Sequence, residues 1–179
     1  MDASRPPLTF AFFPEVPSFE LTSRDVADAR MLPSDQVADI MGYGGANRSP
    51  QLSWRGFPAE TRGFAVTIHD PDAPTGSGFW HWVLLDVPRE VTDLATGAGA
   101  ADGGDLPAGA VQLRNDAGTV GYVGAAPPPG DVPHRYVLAV HALDVASLGV
   151  PADAAPAIAG FNLRFHTVAR AQIVPIFGS

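Results

Sequence analysis

Two predicted strands flank the loop at residues 70–74, Asp-Pro-Asp-Ala-Pro, and constrain the fold more than any other feature of the sequence. Residues 64–70 alternate so that apolar side chains and Asp70 share one face of a strand. Residues 81–87 are apolar at all but one position, which is typical of a buried strand. A proline follows Asp70 and cannot donate a ladder hydrogen bond, so pairing should stop there. An antiparallel pair would place Asp70 and His81 at the same end of a sheet.

Histidines begin two of the predicted strands, so their side chains should meet at one sheet end. A third strand is predicted for residues 134–143, with His134 and Tyr136 on the same face. In the second strand, simple alternation places His81 on the face of Val83. Functional groups often lie beside loops that a rigid scaffold holds. Burying an unpaired carboxylate or imidazole costs several kcal/mol, so these groups are expected to form one joint site.

Each motif also has a purely structural interpretation. Asp-Pro-Asp at residues 70–72 is a common turn, because Asp bonds nearby backbone and Pro presets φ. A histidine beside tryptophan in a buried strand, as at His81, is more often a satisfied core residue than a ligand. The Pro-Pro-Pro-Gly run at residues 127–130 could be a stiff connector. The combination of all three favours a site over coincidence.

The chain resembles the phosphatidylethanolamine-binding protein family, also called Raf-kinase-inhibitor-like proteins, and is most similar to its compact bacterial branch. The motifs that carry the resemblance lie in the family's order along most of the chain. They are Asp-Pro-Asp-Ala-Pro at 70–74, Trp-His-Trp at 80–82, Gly-Tyr-Val-Gly at 121–124, Pro-Pro at 127–128 and His-Arg-Tyr at 134–136. Asp86 departs from the family pattern, which more often has asparagine at that position.

The resemblance implies a mainly β fold: an antiparallel β-sheet sandwich-like single domain with a few short peripheral helices. Residues 1–17 are expected to form an N-terminal arm and residues 18–179 the domain. The family also implies a small pocket for phosphate, acetate or a phospholipid head group. Carried over by motif position, the ligand-binding residues are Asp70, Asp72, Pro74, Trp80, His81, Gly124, Ala126, Pro127, His134 and Tyr136.

Composition restricts the partners and the chemistry. Lysine and arginine total 11 and acidic residues 19, for a net charge of −8, and all the basic residues are arginine. The sequence therefore has no lysine for a Schiff base or a Walker-type phosphate site, and its charge argues against nucleic acid as the main partner. It contains no cysteine. No apolar run approaches the ~20 residues that span a membrane, so a cytoplasmic protein without a transmembrane segment is expected.

These features predict a protein that binds small anions or phosphate head groups, with no cofactor, and has a regulatory or inhibitory role. The resemblance suggests a kinase or protease as its protein partner. The alternative is a metal-dependent hydrolase that uses Asp70, Asp72, His81 and His134 as a two-histidine, two-carboxylate site. A serine hydrolase motif is absent, because Ser77 lacks glycines two positions away on either side.

The charge pattern of the proposed pocket predicts its ligand. Two ionised aspartates and two protonated histidines sum to zero, which suits a zwitterion such as phosphoethanolamine. Its phosphate would face the histidines and the amides of residues 124–126, and its ammonium would face Asp72. Asp70 is expected to raise the pKa of the neighbouring histidines by favouring the charged ring.

Two further predictions concern the ends of the chain. Residues 157–170 repeat apolar side chains at helical spacing, which predicts a helix starting near Pro156 whose apolar face has Ile158, Phe161, Phe165 and Val168. At the other end, the aromatic residues of the arm could supply the contact surface of a homodimer. Those residues are Phe10, Phe12 and Phe13. The alternative is an arm folded onto its own domain.

Overall fold

The computed structural model describes residues 5–103 and 105–178 and confirms the predicted mainly β fold with antiparallel sheets. The strands are β1 (Glu20–Thr22), β2 (Leu52–Arg55), β3 (Gly63–Asp70), β4 (Phe79–Pro88), β5 (Asp93–Leu94), β6 (Val111–Gln112), β7 (His134–Arg135), β8 (Val137–Leu143), β9 (Thr167–Ile173) and β10 (Ile176–Phe177). A 3₁₀ turn spans Ser34–Gln36 and helix α1 spans Pro156–His166.

The strands of the described residues form a sandwich. A five-stranded sheet has the order β6-β4-β3-β8-β9, and a three-stranded sheet has the order β1-β2-β5. The main core fills the space between them and includes Trp54 and Leu94 from the smaller sheet and Val66 and Trp82 from the larger. Strands β10 and β7 form a separate two-stranded sheet. The third predicted strand is thus divided, because Tyr136 separates β7 from β8 and the two pair with different neighbours.

Strand β4 contains a β-bulge near its end. Phe64 of β3 pairs with Val87, whereas Val66 pairs with Leu84, so β4 has one extra residue between these pairs. Asp86 lies in this bulge with a φ of 56°, in the left-handed region. Asp and Asn tolerate this conformation better than most residues, because their short polar side chains can bond nearby backbone. This explains how an aspartate can occupy this position of the bulge.

A second bulge lies at the start of β4, next to the candidate site. Ile68 pairs with Trp82 and His69 pairs with Trp80, which leaves His81 as the additional residue. Two consecutive β4 residues then oppose one β3 position, and the bulge can turn a side chain away from the regular alternation. The prediction that strands β3 and β4 pair antiparallel is confirmed.

Helix α1 starts where predicted, at Pro156, but ends four residues early, at His166. Residues 167–170 belong to β9, which pairs with β8. Thr167 ends the helix: its hydroxyl donates to the Leu163 carbonyl 2.6 Å away. The helical prediction was wrong here because a β-branched pair begins a strand that only tertiary pairing with β8 reveals.

The predicted apolar face of α1 points outward. Ile158, Phe161 and Phe165 are exposed, whereas the residues that pack on the outer face of the large sheet are Ala159 and Leu163. The helix is short, and the side chains of Ala159 and Leu163 suffice to pack it against the sheet. Within residues 5–103 and 105–178, no helix combines the length and the hydropathy needed to cross a membrane.

The described part of the arm, from residue 5, folds against the domain. Phe10 is buried between the His141 ring, 4.8 Å away, and the Arg170 guanidinium, 4.7 Å from the ring centroid. Phe13 is partly buried and Phe12 is 76% exposed. Two of the three aromatic residues predicted to contact a second copy are therefore used within the chain. Residues 1–4 lie outside the described part, and the boundary at residue 17 stays a prediction.

Candidate functional site

A cavity of about 300 Å³ opens at the sheet end where β3 ends and β4 and β7 begin. Its polar groups come from strand ends and its apolar walls from the adjoining loops. The predicted residues that line it are Asp70, Pro74, His81, Gly124, Ala126, Pro127, His134 and Tyr136. The expected convergence of three strand termini is therefore present in the structure.

Asp70 connects the loop at residues 70–74 to His134 at the start of β7. Its Oδ1 accepts hydrogen bonds from the backbone N–H groups of Asp72 and Ala73, at 2.8 and 3.1 Å, and so closes the turn. Its Oδ2 lies 2.7 Å from Nδ1 of the His134 ring, and both side chains are buried. Burial raises the pKa of Asp70, and the hydrogen bond from His134 opposes that rise. The Asp70 carboxylate thus holds the turn at residues 70–74 and also orients the His134 imidazole.

His81 presents one ring nitrogen to a protein partner and keeps the other free. Its Nδ1–H donates to the Val123 carbonyl 2.8 Å away, because a carbonyl can only accept. The ring lines the cavity, Nε2 makes no geometrically regular hydrogen bond to the described residues, and the Gly124 backbone is the other protein group that acts on the ring. The bulge places this ring 5.2 Å from the Tyr136 ring, in the main core, whereas Val83 packs on the opposite face of the sheet. The prediction that His81 shares the face of Val83 was wrong.

The environment keeps the His81 ring neutral. Burial lowers its pKa to about 4, and the rings of His69 and His134 add to that effect although the Val123 carbonyl opposes it. The expectation that Asp70 raises the pKa was wrong for this histidine, because desolvation outweighs the distant carboxylate. At neutral pH, Nε2 of His81 is therefore a hydrogen-bond acceptor.

Tyr136 supplies a hydrogen-bond donor, whereas His81 supplies an acceptor. Its side chain is 2% exposed and lines the cavity, and its hydroxyl has no hydrogen-bond partner among the described residues. Burial raises the pKa of this phenol, and Asp70 reinforces the shift, so the hydroxyl keeps its proton. A buried hydroxyl without a partner costs about 1–3 kcal/mol, which a ligand oxygen accepting from it would recover.

The Gly/Pro-rich loop forms one wall, but two of its amides are already used. Gly124 N–H donates to Asn47 Oδ1 at 2.7 Å, and Ala125 N–H donates to the Gln36 carbonyl at 3.2 Å. Gly124 is required here because a Cβ would collide with the backbone of residues 36–38. The predicted phosphate contacts from the amides of residues 124 and 125 are thus occupied within the protein.

Asp72 and Trp80, also predicted as ligand residues, do not line the cavity. The Asp72 carboxylate accepts from the Arg135 backbone and guanidinium at 2.7–2.8 Å and from Arg5 at 3.2 Å. Burial alone would raise its pKa, but these hydrogen bonds lower it. Trp80 packs against His69 in a tilted arrangement with 4.4 Å between ring centroids, on the side of the loop where Thr9 of the arm bonds the His69 ring. Both residues hold the loop at residues 70–74 in place. The Asp72 oxygens already accept from Arg135 and Arg5, so they are not available to a ligand ammonium.

The four residues of the hydrolase alternative are not brought together. Asp72 is turned toward Arg135, while His81 faces the cavity and its Nδ1 is bonded to a carbonyl. No group of three or more metal-ligating side chains was found in residues 5–103 and 105–178. The geometry therefore does not assemble the two-histidine, two-carboxylate donor set.

The sequence motifs missed the apolar part of the lining. The additional residues are Ile40, Met41, Ala73, Thr75, Phe79, Ala117, Val123 and Pro128. Those within or beside the motifs could have been included by adjacency. Ile40 and Met41 follow the 3₁₀ turn, far from any motif in sequence, and no signal indicated them. They are exposed at the mouth of the cavity and make its entrance apolar.

The fold and the strand-end cavity define a β-sandwich binding domain. Residues 22–178 match the profile of the family described as phosphatidylethanolamine-binding protein, and the chain belongs to this family. The resemblance stated from the motifs is confirmed.

Bacterial proteins of the same group are close relatives. The chain is 43% identical to the UPF0098 protein YbcL of Escherichia coli, over 93% of this chain and 91% of that protein. It is 46% identical to YbhB of the same organism, over 88% of this chain and 99% of that protein. The crystal structure of E. coli YbcL superposes with a TM-score of 0.88 and covers 90% of this chain and 99% of that one.

Proposed function

We propose that the protein binds a small phosphate-bearing or carboxylate-bearing ligand in the strand-end cavity. The observation that carries this proposal is the unpartnered, buried Tyr136 hydroxyl beside His81 and the Asp70–His134 pair. An apolar cavity with a few converging polar groups is the usual form of a small-molecule site. Membership of a family of binding proteins supports the same conclusion.

Ligand stabilisation tests this function directly. A ligand that binds only the folded state raises the melting temperature in proportion to the logarithm of its concentration. Phosphoethanolamine and inorganic phosphate should both raise it in a phosphate-free buffer, and Tyr136→Phe should reduce the shift. Phe161→Ser, which alters an exposed residue away from the cavity, is the matched control and should keep the full shift. No shift with either compound at millimolar concentration would contradict the proposal.

The regulatory part of the proposal concerns a protein partner, a kinase or a protease, as the family resemblance suggests. The apolar entrance at Ile40 and Met41 supports it, since a partner's side chain that carries an anionic group could enter there. Inhibition of a panel of serine proteases and protein kinases, relieved by phosphoethanolamine, would support a partner that uses the cavity. Inhibition of none of them would argue against it.

We also propose a cytoplasmic homodimer that uses a different surface from the one predicted. Phe12, Ile158, Phe161 and Phe165 are all exposed, and the Arg164 guanidinium donates to the Phe12 carbonyl at 2.8 Å. The arm and α1 therefore present one aromatic face, which we call the helix face. Exposed aromatic clusters of this kind favour association.

A further inference from the structure

The charges around the cavity do not suit a fully ionised phosphate. The chain has no lysine, and no arginine among the described residues lines the cavity. Asp70 lies on its wall, and Asp131 lies 3.5 Å from His134 Nε2. A dianion would meet the Asp70 carboxylate with no lysine or arginine among the described residues of the cavity wall to compensate its charge, and an uncompensated buried charge is costly.

The hydrogen-bonding positions specify the ligand further. His81 uses Nδ1–H on Val123, so Nε2 can only accept unless the ring takes up a proton. Tyr136 Oη is free to donate. A matching acid group of the ligand must therefore donate one hydrogen bond to His81 Nε2 and accept another, at a second oxygen, from Tyr136 Oη.

We propose that the cavity selects the singly protonated form of a phosphate monoester, with one proton shared between a phosphate oxygen and His81 Nε2 and a second oxygen accepting from Tyr136. This inference rests on the proposed function and goes beyond it by naming the form of the ligand. A phosphodiester, such as an intact phospholipid head group, has no such proton. The cavity should therefore bind monoesters in preference to diesters.

Other titratable groups face His81 and must be considered as sites of the same proton. His134 and Tyr136 face it from β7 and the residue that follows, and Asp70 and His69 from β3. The His134 ring is held by Asp70 through Nδ1. His69 is engaged on both sides, by Thr9 Oγ1 at 2.8 Å and the Ser77 carbonyl at 3.2 Å. Among these rings, only His81 and His134 line the cavity, so the choice lies between them.

Proton uptake is the first test. A phosphate monoester loses its second proton near pH 6, so at pH 8 the complex must take up about one proton. Calorimetry of phosphoethanolamine in two buffers of different ionisation enthalpy should give that number from the difference in apparent enthalpy. The dissociation constant should rise about tenfold between pH 7 and pH 8, as the protonated ligand becomes tenfold rarer. Binding without proton uptake, or tighter at pH 8, would overturn the inference while leaving the proposed function intact.

Matched ligands give the second test. The sulfate ester 2-aminoethyl sulfate has nearly the shape of phosphoethanolamine but has no ionisable proton at neutral pH. It should bind about tenfold more weakly at pH 5, where about nine-tenths of the phosphoethanolamine carries the proton, the cost of roughly one hydrogen bond. Glycerophosphoethanolamine, a diester, should behave like the sulfate. If either binds as tightly as phosphoethanolamine, the cavity does not select a protonated acid. If none of the three binds, the proposed function itself fails.

Variants locate the proton. His81→Asn can keep a donor for the Val123 carbonyl but removes Nε2, so binding should weaken and proton uptake should disappear. Tyr136→Phe should weaken binding with uptake unchanged, because it removes only a donor. Uptake that persists in His81→Asn would place the proton on His134 and refute the assignment to His81. The ligand comparison uses the unmodified protein and decides the question even if His81→Asn fails to fold.

Discussion

At the scale of single residues, three buried histidines make the protein sensitive to acid. Burial lowers the pKa of His69 and His81 to about 4 and that of His141 well below its ordinary value of 6.5. Between about pH 6.5 and 4, the unfolded chain binds protons that the folded chain does not. Stability is therefore complete above pH 6.5 and is lost as the pH falls, by roughly 1.4 kcal/mol per pH unit for each histidine.

Urea unfolding of the ligand-free protein at pH 7.5, 6.0 and 5.0 checks this prediction. His141→Leu should reduce the pH slope by about one proton, whatever it does to stability at pH 7.5. Val132→Ser, at an exposed residue without a titratable group, is the control and should leave the slope unchanged. A stability that is constant or rises on acidification would contradict the assignment of these rings as neutral in the folded state.

Much of the polar site was predictable at this scale because its residues follow motif positions and strand ends. The rule that a Pro/Gly loop stops a strand predicted that Asp70, His81 and His134 lie at one sheet end, and all three line the cavity there. Asp72 was misassigned, since sequence spacing cannot show that Arg135 lies within reach of its carboxylate. The low pKa of His81 was equally hidden, because desolvation depends on packing from distant segments.

At the scale of secondary-structure elements, the bulge at Asp86 shapes β4 and can be tested. The φ of 56° costs a β-branched residue about 1–3 kcal/mol, and Asp86 also accepts from Ser147 Oγ at 2.6 Å and Leu148 N at 2.8 Å. We expect Asp86→Val to lower the unfolding free energy by at least about 2 kcal/mol. Asp86→Asn tolerates the same φ and keeps an acceptor oxygen, so it should cost under about 1 kcal/mol. Equal losses in denaturant titrations would show that the bulge conformation is not the cause.

The loop at residues 70–74 is held by a clamp formed by Asp72, Arg135 and Arg5. Arg135→Lys removes the paired guanidinium contacts and should lower stability by about 1–2 kcal/mol. It should also weaken phosphoethanolamine binding, although Arg135 does not line the cavity, because the loop carries cavity residues. Arg5→Ala removes the longer, more exposed contact to Asp72 together with an exposed contact to the Pro133 carbonyl, and should cost less than about 1 kcal/mol. Unchanged calorimetric affinity in Arg135→Lys would separate the clamp from the site.

Element boundaries show what the sequence pattern could and could not predict. Alternation predicted β3 and a nearly continuous apolar run predicted β4, because both strands are long and buried, which makes each pattern strong. The bulges were not visible, since an inserted residue breaks the period without a marker in the sequence. The end of α1 was missed because apolar spacing continues into β9, whose identity depends on pairing with β8.

At the scale of the whole molecule, the helix face is the exposed apolar surface that we expect a second copy of the chain to cover. Phe161 and Phe165 are 64% and 63% exposed, and their rings pack edge to face at 5.1 Å. Two copies that meet through this face would bury these rings, and burying one large apolar side chain contributes about 1.5–3 kcal/mol. We expect a concentration-dependent dimer in which replacing both Phe161 and Phe165 by Ser gives a monomer.

Light scattering with sedimentation over a hundredfold concentration range measures this directly. Met31→Ser, at a residue 51% exposed outside the helix face, is the matched control and should still dimerise.

The cavity lies outside the helix face, because none of the four residues that define this face lines it. The monomeric variant should therefore keep its affinity for phosphoethanolamine. A wild-type protein that stays monomeric throughout, or a double variant that still dimerises, would rule out the helix face as the interface. Loss of ligand binding on dissociation would instead show that the second copy completes the site.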